Sequence, residues 1–358
     1  MIVFLMASPN ASNSTAGYRL RLINGIVNNP SLAGVTVLFL SSSFHSYIRL
    51  SRSPRPLLII HKTVSFGALF AAIICRLKRG RIVFDVCDNP FPSLDMLSGE
   101  GLAPAFQLLR YLLFSAMSNI ANKITVSSQS LLYSFSAPKA VLLYDIFDEP
   151  QSGAGCLGLL SAPKPPYSPY GFPSKYSILW YGSAGASNSF QGIDELLHSS
   201  EQVHMCRQKI AKFYVVSNLQ KRAESSLADR LDLLPGTLIY KKWTPDFFGE
   251  LFGVIDCVYL PTLDSFKTFY KTENRVAYSV ANGVPVICGS RDSYLAYADR
   301  NPGAVFCGSL DKGLAWLDSL SAHDVTLASK RAVALNSMYQ AQWASFLDSE
   351  MTSLHSNI

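Results

Sequence analysis

Segments typical of buried strands alternate with segments typical of helices along most of this 358-residue sequence. Short runs rich in β-branched and aromatic residues are separated by amphipathic stretches, beginning with a predicted strand at residues 2–6. The alternation predicts a parallel sheet covered by helices, because parallel strands need a long crossover connection that is usually a helix. The hydrophobic content of 49% suits strands that are buried on both faces. We therefore expect an α/β fold.

The predicted strands fall into two series, separated by a stretch without strand or helix signals. The first series is at residues 2–6, 35–40, 57–60, 81–86, 124–127 and 140–144. The second series is at residues 177–181, 213–217, 238–240, 256–260, 284–288 and 304–307. We predict an N-terminal Rossmann-like domain over residues 1–150 and a second one over 176–335. Residues 151–175 are rich in Gly, Pro and Ser and form the predicted linker, and residues 336–358 form a terminal helix.

Charge and cysteine content exclude several classes of protein. The net charge is 31 − 25 = +6 without a dense basic stripe, so no nucleic-acid partner is expected. The seven cysteines are scattered and never form a CxxC pair, which predicts reduced thiols in a cytoplasmic protein.

The N-terminal residues read as a first strand and not as a signal peptide. The longest apolar stretch, residues 63–75, is too short to cross a bilayer, but the RLKRGR that follows leaves peripheral contact with the inner face of the membrane open.

Residues 271–290, KTENRVAYSVANGVPVICGS, form the most informative segment. On a helical wheel Lys271, Asn274, Arg275 and Tyr278 share one face, and the opposite face is apolar. A glycine then stops the predicted helix, and the proline within the buried strand VPVI that follows prevents its continuation. Cations near a helix N-terminus add to the helix dipole and to its N–H groups, which is how proteins hold phosphate or diphosphate. One face of this helix is therefore predicted to bind an anion.

This helix–Gly–x–Pro–strand segment resembles the donor-sugar segment of the GT-B glycosyltransferases, most closely the retaining family 4 type and its bacterial polysaccharide relatives. ILWYGSAGASNSFQGIDELL is similar to the opening strand and first helix of the family's second domain, and RIVFDVCDNPF to the strand that ends on the acceptor side. The resemblance implies two Rossmann-like parallel-sheet domains facing a cleft, with a C-terminal helix that crosses back to the first domain. It also implies a hexosyltransferase-like enzyme of polysaccharide biosynthesis with a nucleotide-sugar donor, a glycan or lipid-linked acceptor, no cofactor and no metal.

The sequence departs from the family pattern at positions that contact the donor. Family 4 members generally place two glutamates around the donor helix, where this chain has Tyr270 and Tyr278. The family's Arg and Lys that contact the donor diphosphate are replaced here by Ser183 and Gln191. A diphosphate carries about two to three negative charges that must be compensated when it is enclosed. We therefore expect the compensating cations to lie on the donor helix itself.

Within this donor segment, Lys271 is predicted to neutralise the diphosphate. Thr272 is predicted to cap the helix and to offer its hydroxyl and N–H. Arg275 has two interpretations: a bidentate phosphate ligand, or one half of a salt bridge with Glu273 or Asp264.

The other predicted donor-binding residues lie at strand ends or on the same helix. Gly182 and Ser183 end the opening strand, where a bare backbone lets phosphate approach. Asn274 is expected either to bond a phosphate or ribose hydroxyl or to face solvent. Trp243 follows a strand, so its ring either stacks on the nucleotide base or belongs to the core. Tyr278 completes the predicted donor face.

Asp88 is the predicted catalytic residue of the first domain. It would orient the acceptor hydroxyl or act as a base; the alternative is that it caps the turn after it. Asp85, Lys62 and Ser14, the last within a polar loop, are predicted on the acceptor side, while His61 is expected to be structural. A retaining, metal-independent reaction is expected, in which a phosphate oxygen takes the acceptor proton. If the reaction inverts the anomeric centre, Asp88 is the base.

Two other functions remain compatible with the sequence. A GT-B-fold epimerase would act on a nucleotide sugar without an acceptor. A non-catalytic scaffold subunit would have kept the fold without the family's glutamates.

Overall fold

The computed structural model describes residues 2–5, 24–27, 37–40, 44–86, 103–135, 138–147, 176–182, 193–217, 224–233, 236–244, 251–263 and 271–356. The chain divides into two compact units. The first comprises Met1–Asp148, Phe266–Thr272 and Asn336–Ile358, and the second comprises Glu149–Ser265 and Glu273–Leu335. Each unit is built on one six-stranded sheet. The predicted linker, residues 151–175, lies outside the described residues.

The sheet of the first unit is parallel, in the order β2-β1-β3-β4-β5-β6. Its strands are β1 (Ile2–Leu5), β2 (Val37–Leu40), β3 (Leu57–His61), β4 (Arg81–Val86), β5 (Lys123–Val126) and β6 (Ala140–Leu142). The described helices are α1 (Phe44–Arg52), α2 (Phe66–Leu77), α3 (Ala103–Ile120) and α4 (Gln129–Ser134). The strand order reverses between β1 and β3, which makes the sheet doubly wound.

The core of the first unit explains why these segments form strands and helices. β3 is buried at all five positions, as expected for a strand with helices on both faces. α2 turns its small residues inward, and Ala68, Ala71, Ala72 and Cys75 are fully buried in the core cluster. Two helices, α1 and α4, were not predicted: α4 has only six residues, and α1 has nine, although the spacing of Phe44, Tyr47 and Ile48 gives it an apolar face.

The second unit contains the second parallel sheet, in the order β12-β11-β10-β7-β8-β9. Its strands are β7 (Tyr176–Tyr181), β8 (Ile210–Ser217), β9 (Leu238–Lys242), β10 (Cys257–Leu260), β11 (Val286–Cys288) and β12 (Val305–Cys307). Its described helices are α5 (Ile193–His198), α6 (Ser200–Met205), α7 (Glu224–Leu231), α8 (Asn274–Ala281), α9 (Asp292–Arg300) and α10 (Leu310–Ser319). This is the Rossmann strand order, and it reverses between β7 and β10.

A single long helix, α11 (Ala322–His355), ends the described chain. It begins in the second unit, and from Asn336 onward it belongs to the first. There the Asn336 side chain accepts from the Phe147 N–H at 3.0 Å and donates to its carbonyl at 3.2 Å. Trp343 Nε1 donates to the Tyr144 carbonyl at 3.0 Å. The predicted return of the C-terminal helix to the first domain is therefore confirmed, as is the α/β fold class.

Within the described ranges, no helix combines the length and the apolar character that a bilayer crossing requires.

Asn336→Ala should lower the free energy of unfolding by about 2 kcal/mol, because a buried N–H and a buried carbonyl of Phe147 would lose their side-chain partner. Urea denaturation followed by circular dichroism measures this change. Asp348→Ala, an exposed position on the same helix, is the matched control and should stay within about 0.5 kcal/mol. Equal stabilities of the two variants would contradict the anchoring role of Asn336.

Candidate functional site

A cluster of three charged side chains lies at the carboxyl edge of the second sheet. Glu195 accepts from Arg275 Nη2 at 3.0 Å and from Arg291 Nη2 at 2.7 Å. The side chains of Glu195 and Arg291 are 2% and 5% exposed, whereas that of Arg275 is 20% exposed. Because two guanidinium groups share one carboxylate, the cluster carries a net charge of +1. Its accessible part is the Arg275 side chain.

Each member of the cluster lies at the N-terminal end of a helix. Glu195 is in the first turn of α5, Arg275 is in the first turn of α8, and Arg291 is the N-cap residue of α9. A helix dipole favours a carboxylate at this end and opposes a cation. The two arginines are therefore held in place by Glu195 and not by their helices. Three helix N-termini and the excess cation give this edge a positive potential that suits an anion.

Tyr294 links the two arginines. Its hydroxyl accepts from Arg275 Nη2 and from Arg291 Nη1, each at 3.3 Å, and its ring lies 4.9 Å from the Arg291 guanidinium carbon. Burial by itself lowers the pKa of Arg275, but the neighbouring Tyr294 and Glu195 raise it by more, so the pKa lies above its usual value. Arg275 therefore remains a cation at any physiological pH.

Gly182 follows β7 and makes room for Arg275. Arg275 Nη1 donates to the Tyr181 carbonyl at 3.1 Å, at the end of the strand. A Cβ on Gly182 would lie 3.0 Å from the Trp180 ring and 3.2 Å from Arg275 Nη1. The glycine thus permits the close packing of the guanidinium on β7. That the bare backbone of Gly182 lets a phosphate approach stays a prediction.

The N-terminus of α8 differs from the prediction. The helix begins at Asn274 with Glu273 as its N-cap, so Lys271 and Thr272 precede the helix. The prediction that Lys271 lies on a helical face was therefore wrong, and so was the capping role of Thr272. The Thr272 hydroxyl instead donates to Asp145 Oδ2 at 3.4 Å. The donor-binding roles of both residues stay predictions.

Arg275 forms a salt bridge, but not with the residues that the sequence suggested. Glu273 makes no capping hydrogen bond, because its carboxylate accepts from Arg300 Nη2 at 2.6 Å. The other suggested partner, Asp264, lies outside the described residues. The partner is Glu195, about 80 positions earlier in the chain. Sequence analysis singled out neither Glu195 nor Arg291. Arg291 follows an expected strand end by three residues, which was an available signal, whereas Glu195 lies inside a helix and gave none.

The remaining donor candidates lie elsewhere in the second unit or outside the described residues. Asn274 is half-buried in the first turn of α8. The Tyr278 ring meets Phe252 edge-on, with 5.6 Å between centroids. Trp243 is half-buried after β9, and its main-chain N–H donates to the Ser217 carbonyl at 2.9 Å. Ser183 is not among the described residues.

The predicted apolar face of α8 is confirmed. Its inward residues are at most 4% exposed: Val276, Ala277, Val280 and Ala281.

In the first unit, Asp85 is buried inside a row of three polar side chains. His61, Asp85 and Thr125 are register partners on β3, β4 and β5. The Asp85 carboxylate lies 2.6 Å from His61 Nδ1 and accepts from the Thr125 hydroxyl at 2.7 Å. Asp85 is 0% exposed, so a direct contact with an acceptor is ruled out. Its carboxylate instead orients the His61 ring, next to the strand-order reversal at β1.

Lys62 follows His61 in a left-handed backbone conformation, with φ of 53°. Its N–H donates to the Asp85 carbonyl at 3.0 Å, and its side chain is exposed. Asp88 and Ser14 lie outside the described residues. The sequence signal for this row is His61, the one polar residue of β3; β5 contains Lys123 as well as Thr125 and gives no comparable signal.

Comparisons with known proteins identify the fold of this chain. The sequence matches no protein-family model and no curated protein. The structure is similar to that of HepE from Anabaena in complex with UDP and glucose, with a TM-score of 0.64 and 13% identity over 98% of this chain and 99% of that one. Sucrose-phosphate synthase from Thermosynechococcus elongatus gives a TM-score of 0.63 and 11% identity over 98% of this chain and 99% of that one.

A third similar structure is the UDP-forming trehalose-phosphate synthase from Burkholderia vietnamiensis. Its TM-score is 0.53, with 14% identity over 87% of this chain and 80% of that one. These similarities show that the chain has the GT-B fold, as the resemblance predicted.

Glu195→Gln should lower the free energy of unfolding by about 3 kcal/mol, because two largely buried guanidinium groups would lose their shared counter-charge. Glu201→Gln, an exposed change of the same kind on α6, should stay within about 0.5 kcal/mol. Urea denaturation monitored by tryptophan fluorescence compares the two. A loss below about 1 kcal/mol in Glu195→Gln would show that the carboxylate does not hold the arginines.

Proposed function

We propose that this chain is a glycosyltransferase that moves a sugar from a nucleotide-sugar donor to a glycan or lipid-linked acceptor. The observation that carries the proposal is the net-cationic cluster of Glu195, Arg275 and Arg291 at the carboxyl edge of the second sheet. It lies where the strand order reverses, which is where open α/β sheets bind their ligands. HepE, which shares the fold, was solved with UDP and with UDP-glucose.

The donor diphosphate is the ligand that the charges of this edge favour. It brings about two to three negative charges. The cluster offers one net positive charge, and the N-terminus of α8 adds about half a charge through its dipole. Lys271, just before that helix, supplies a further cation in the proposal. Together these groups neutralise the negative charge of the diphosphate. We propose that they replace the divalent metal that other transferases use for this purpose.

The other donor residues have supporting roles in this proposal. The main chain at Gly182 and Ser183 approaches a phosphate, while Thr272 and Asn274 offer short polar groups beside α8. Trp243 stacks on the base, since every nucleotide base presents a flat face. Tyr278 lies one turn after Arg275 and contacts the donor sugar.

In this proposal the acceptor binds to the first unit. Asp88 follows β4 and orients the acceptor hydroxyl. His61, held by the buried Asp85, stands at the end of the neighbouring strand, and Lys62 and Ser14 contribute polar contacts. In a retaining reaction, which we propose, the acceptor proton passes to a donor phosphate oxygen. In an inverting one it passes to Asp88.

Titration calorimetry with UDP-, GDP-, dTDP- and CMP-sugars should detect binding of at least one donor. Lys271→Ala should weaken that binding about 10- to 100-fold, because a charge-assisted contact contributes about 1.5–3 kcal/mol. Lys330→Ala, an exposed lysine on α11, should bind as the unchanged protein does. If none of the nucleotide sugars binds, the proposed function is overturned. Equal affinity in both lysine variants would instead overturn only the role of Lys271.

Asp88→Asn should slow consumption of the bound donor at least about 100-fold while leaving its affinity unchanged, because a base or orienting carboxylate acts on the reaction and not on donor binding. Nucleoside diphosphate release measures the rate, and Asp299→Asn, an exposed carboxylate on α9, is the control. Proton NMR of the product gives the anomeric outcome. An isomerised sugar nucleotide formed without acceptor would favour the epimerase.

A further inference from the structure

Helix α2 exposes a continuous row of large apolar side chains. Phe66, Phe70, Ile73 and Leu77 recur at intervals of four, three and four, so they share one face of the helix. They are 64%, 52%, 42% and 79% exposed, in that order. The opposite face of α2 is buried in the core, so the helix is apolar on both sides. A helix that packs on a core by one face normally carries polar residues on the other.

The two helices that pack against α2 also carry apolar residues outside the core. α2 packs against α1 and α3. Tyr47 of α1 meets Phe70 edge-on, with 5.3 Å between ring centroids. α3 exposes Phe106, Leu108 and Leu112, at 65%, 54% and 55%. Scattered apolar residues are normal on protein surfaces, but a row of four on one helix face, with further exposed apolar residues on a helix packed against it, marks an interaction surface.

The charged residues of the same three helices are all positive. α1, α2 and α3 contain no Asp or Glu, and the exposed cations on them or directly after them are Arg49, Arg52, Arg76, Lys78, Arg79 and Arg110. A partner for this surface must therefore combine an apolar region with negative charge. A second copy of the chain would place like charges against each other, since a two-fold interface pairs the same patch with itself. An anionic phospholipid surface has the required combination.

An arginine-lined cavity of about 140 Å³ adjoins the C-terminal end of α2. Arg55, Arg76, Arg79 and Arg81 line it. Arg76 is fixed by two hydrogen bonds to one main-chain carbonyl, at 2.8 and 3.1 Å, and Arg81 by the Glu350 carboxylate at 2.7 Å. In the described part of the chain, no other carboxylate pairs with these arginines. Four arginines and one glutamate leave a net charge of +3, which suits a phosphate group.

We propose that the face formed by α1, α2 and α3 docks on an anionic phospholipid bilayer, with a lipid phosphate in the arginine cavity. The row on α2 would enter the boundary between headgroups and acyl chains. Leu77, the most exposed residue of the row, is adjacent to Arg76 of the cavity, so one lipid can satisfy both features. A free phosphate would fill the cavity but would leave the apolar row uncovered. This proposal concerns the first unit alone and does not depend on the proposed function.

Cosedimentation of the full chain with vesicles tests the proposal. Binding is expected to vesicles of phosphatidylcholine with phosphatidylglycerol, to be weak with phosphatidylcholine alone, and to fall with rising salt. Phe70→Ser combined with Leu77→Ser should weaken binding at least about tenfold through lost apolar burial. Lys78→Glu combined with Arg79→Asn should also weaken it about tenfold or more; Asn tolerates the left-handed backbone at position 79.

Matched controls in the second unit distinguish binding through this surface from nonspecific adsorption to vesicles. Met205→Ser removes an apolar side chain that is 70% exposed, and Lys330→Glu reverses an exposed charge; both should bind vesicles as the unchanged protein does. Equal binding to neutral and anionic vesicles would overturn the proposal. So would stabilisation by inorganic phosphate without any vesicle binding, which would indicate a free-phosphate site. A dimer in light scattering that the Phe70→Ser, Leu77→Ser variant dissociates would assign the face to a second copy.

Discussion

The parallel pairing of the strands is the constraint on which the rest of this molecule depends. Each parallel connection must cross back over the sheet, so the helices that follow the strands begin at the carboxyl edge. The first turns of α5, α8 and α9 consequently meet at the same edge of the second sheet. Their unpaired N–H groups and dipoles make that edge electropositive before any side chain is considered.

Both units place a buried carboxylate beside the point where the strand order reverses. In the first, Asp85 holds the His61 ring; in the second, Glu195 holds Arg275 and Arg291. A buried carboxylate is costly unless it is paired, so each one fixes the position of its basic partners. The two edges differ in charge, since one carboxylate faces an imidazole and the other faces two guanidinium groups. The second edge is therefore the better one for a polyanionic ligand.

The order of strands and helices, and the buried face of α8, could be predicted from the sequence. Hydrophobic patterns with a period of two or 3.6 residues depend only on neighbouring residues, and they indicate which side of each strand or helix is buried. Val276 and Val280 follow the second pattern and are fully buried. The GT-B fold also followed from the sequence, because the segment 271–290 and the two series of strands together resemble that family. The start of α8 was placed three residues too early, since Lys271 and Thr272 continue the polar pattern without being helical.

Only the tertiary structure decided which charges pair. Arg275 had two nearby acidic candidates in sequence, yet its partner is Glu195, because the strand order brings the start of α5 beside that of α8. In the same way, His61 and Asp85 meet only because β3 and β4 are neighbours in register. The sequence by itself determined which faces are buried, since burial follows from the residues of one element. Ion pairing depends on distances between elements, and those are defined only when the sheet assembles.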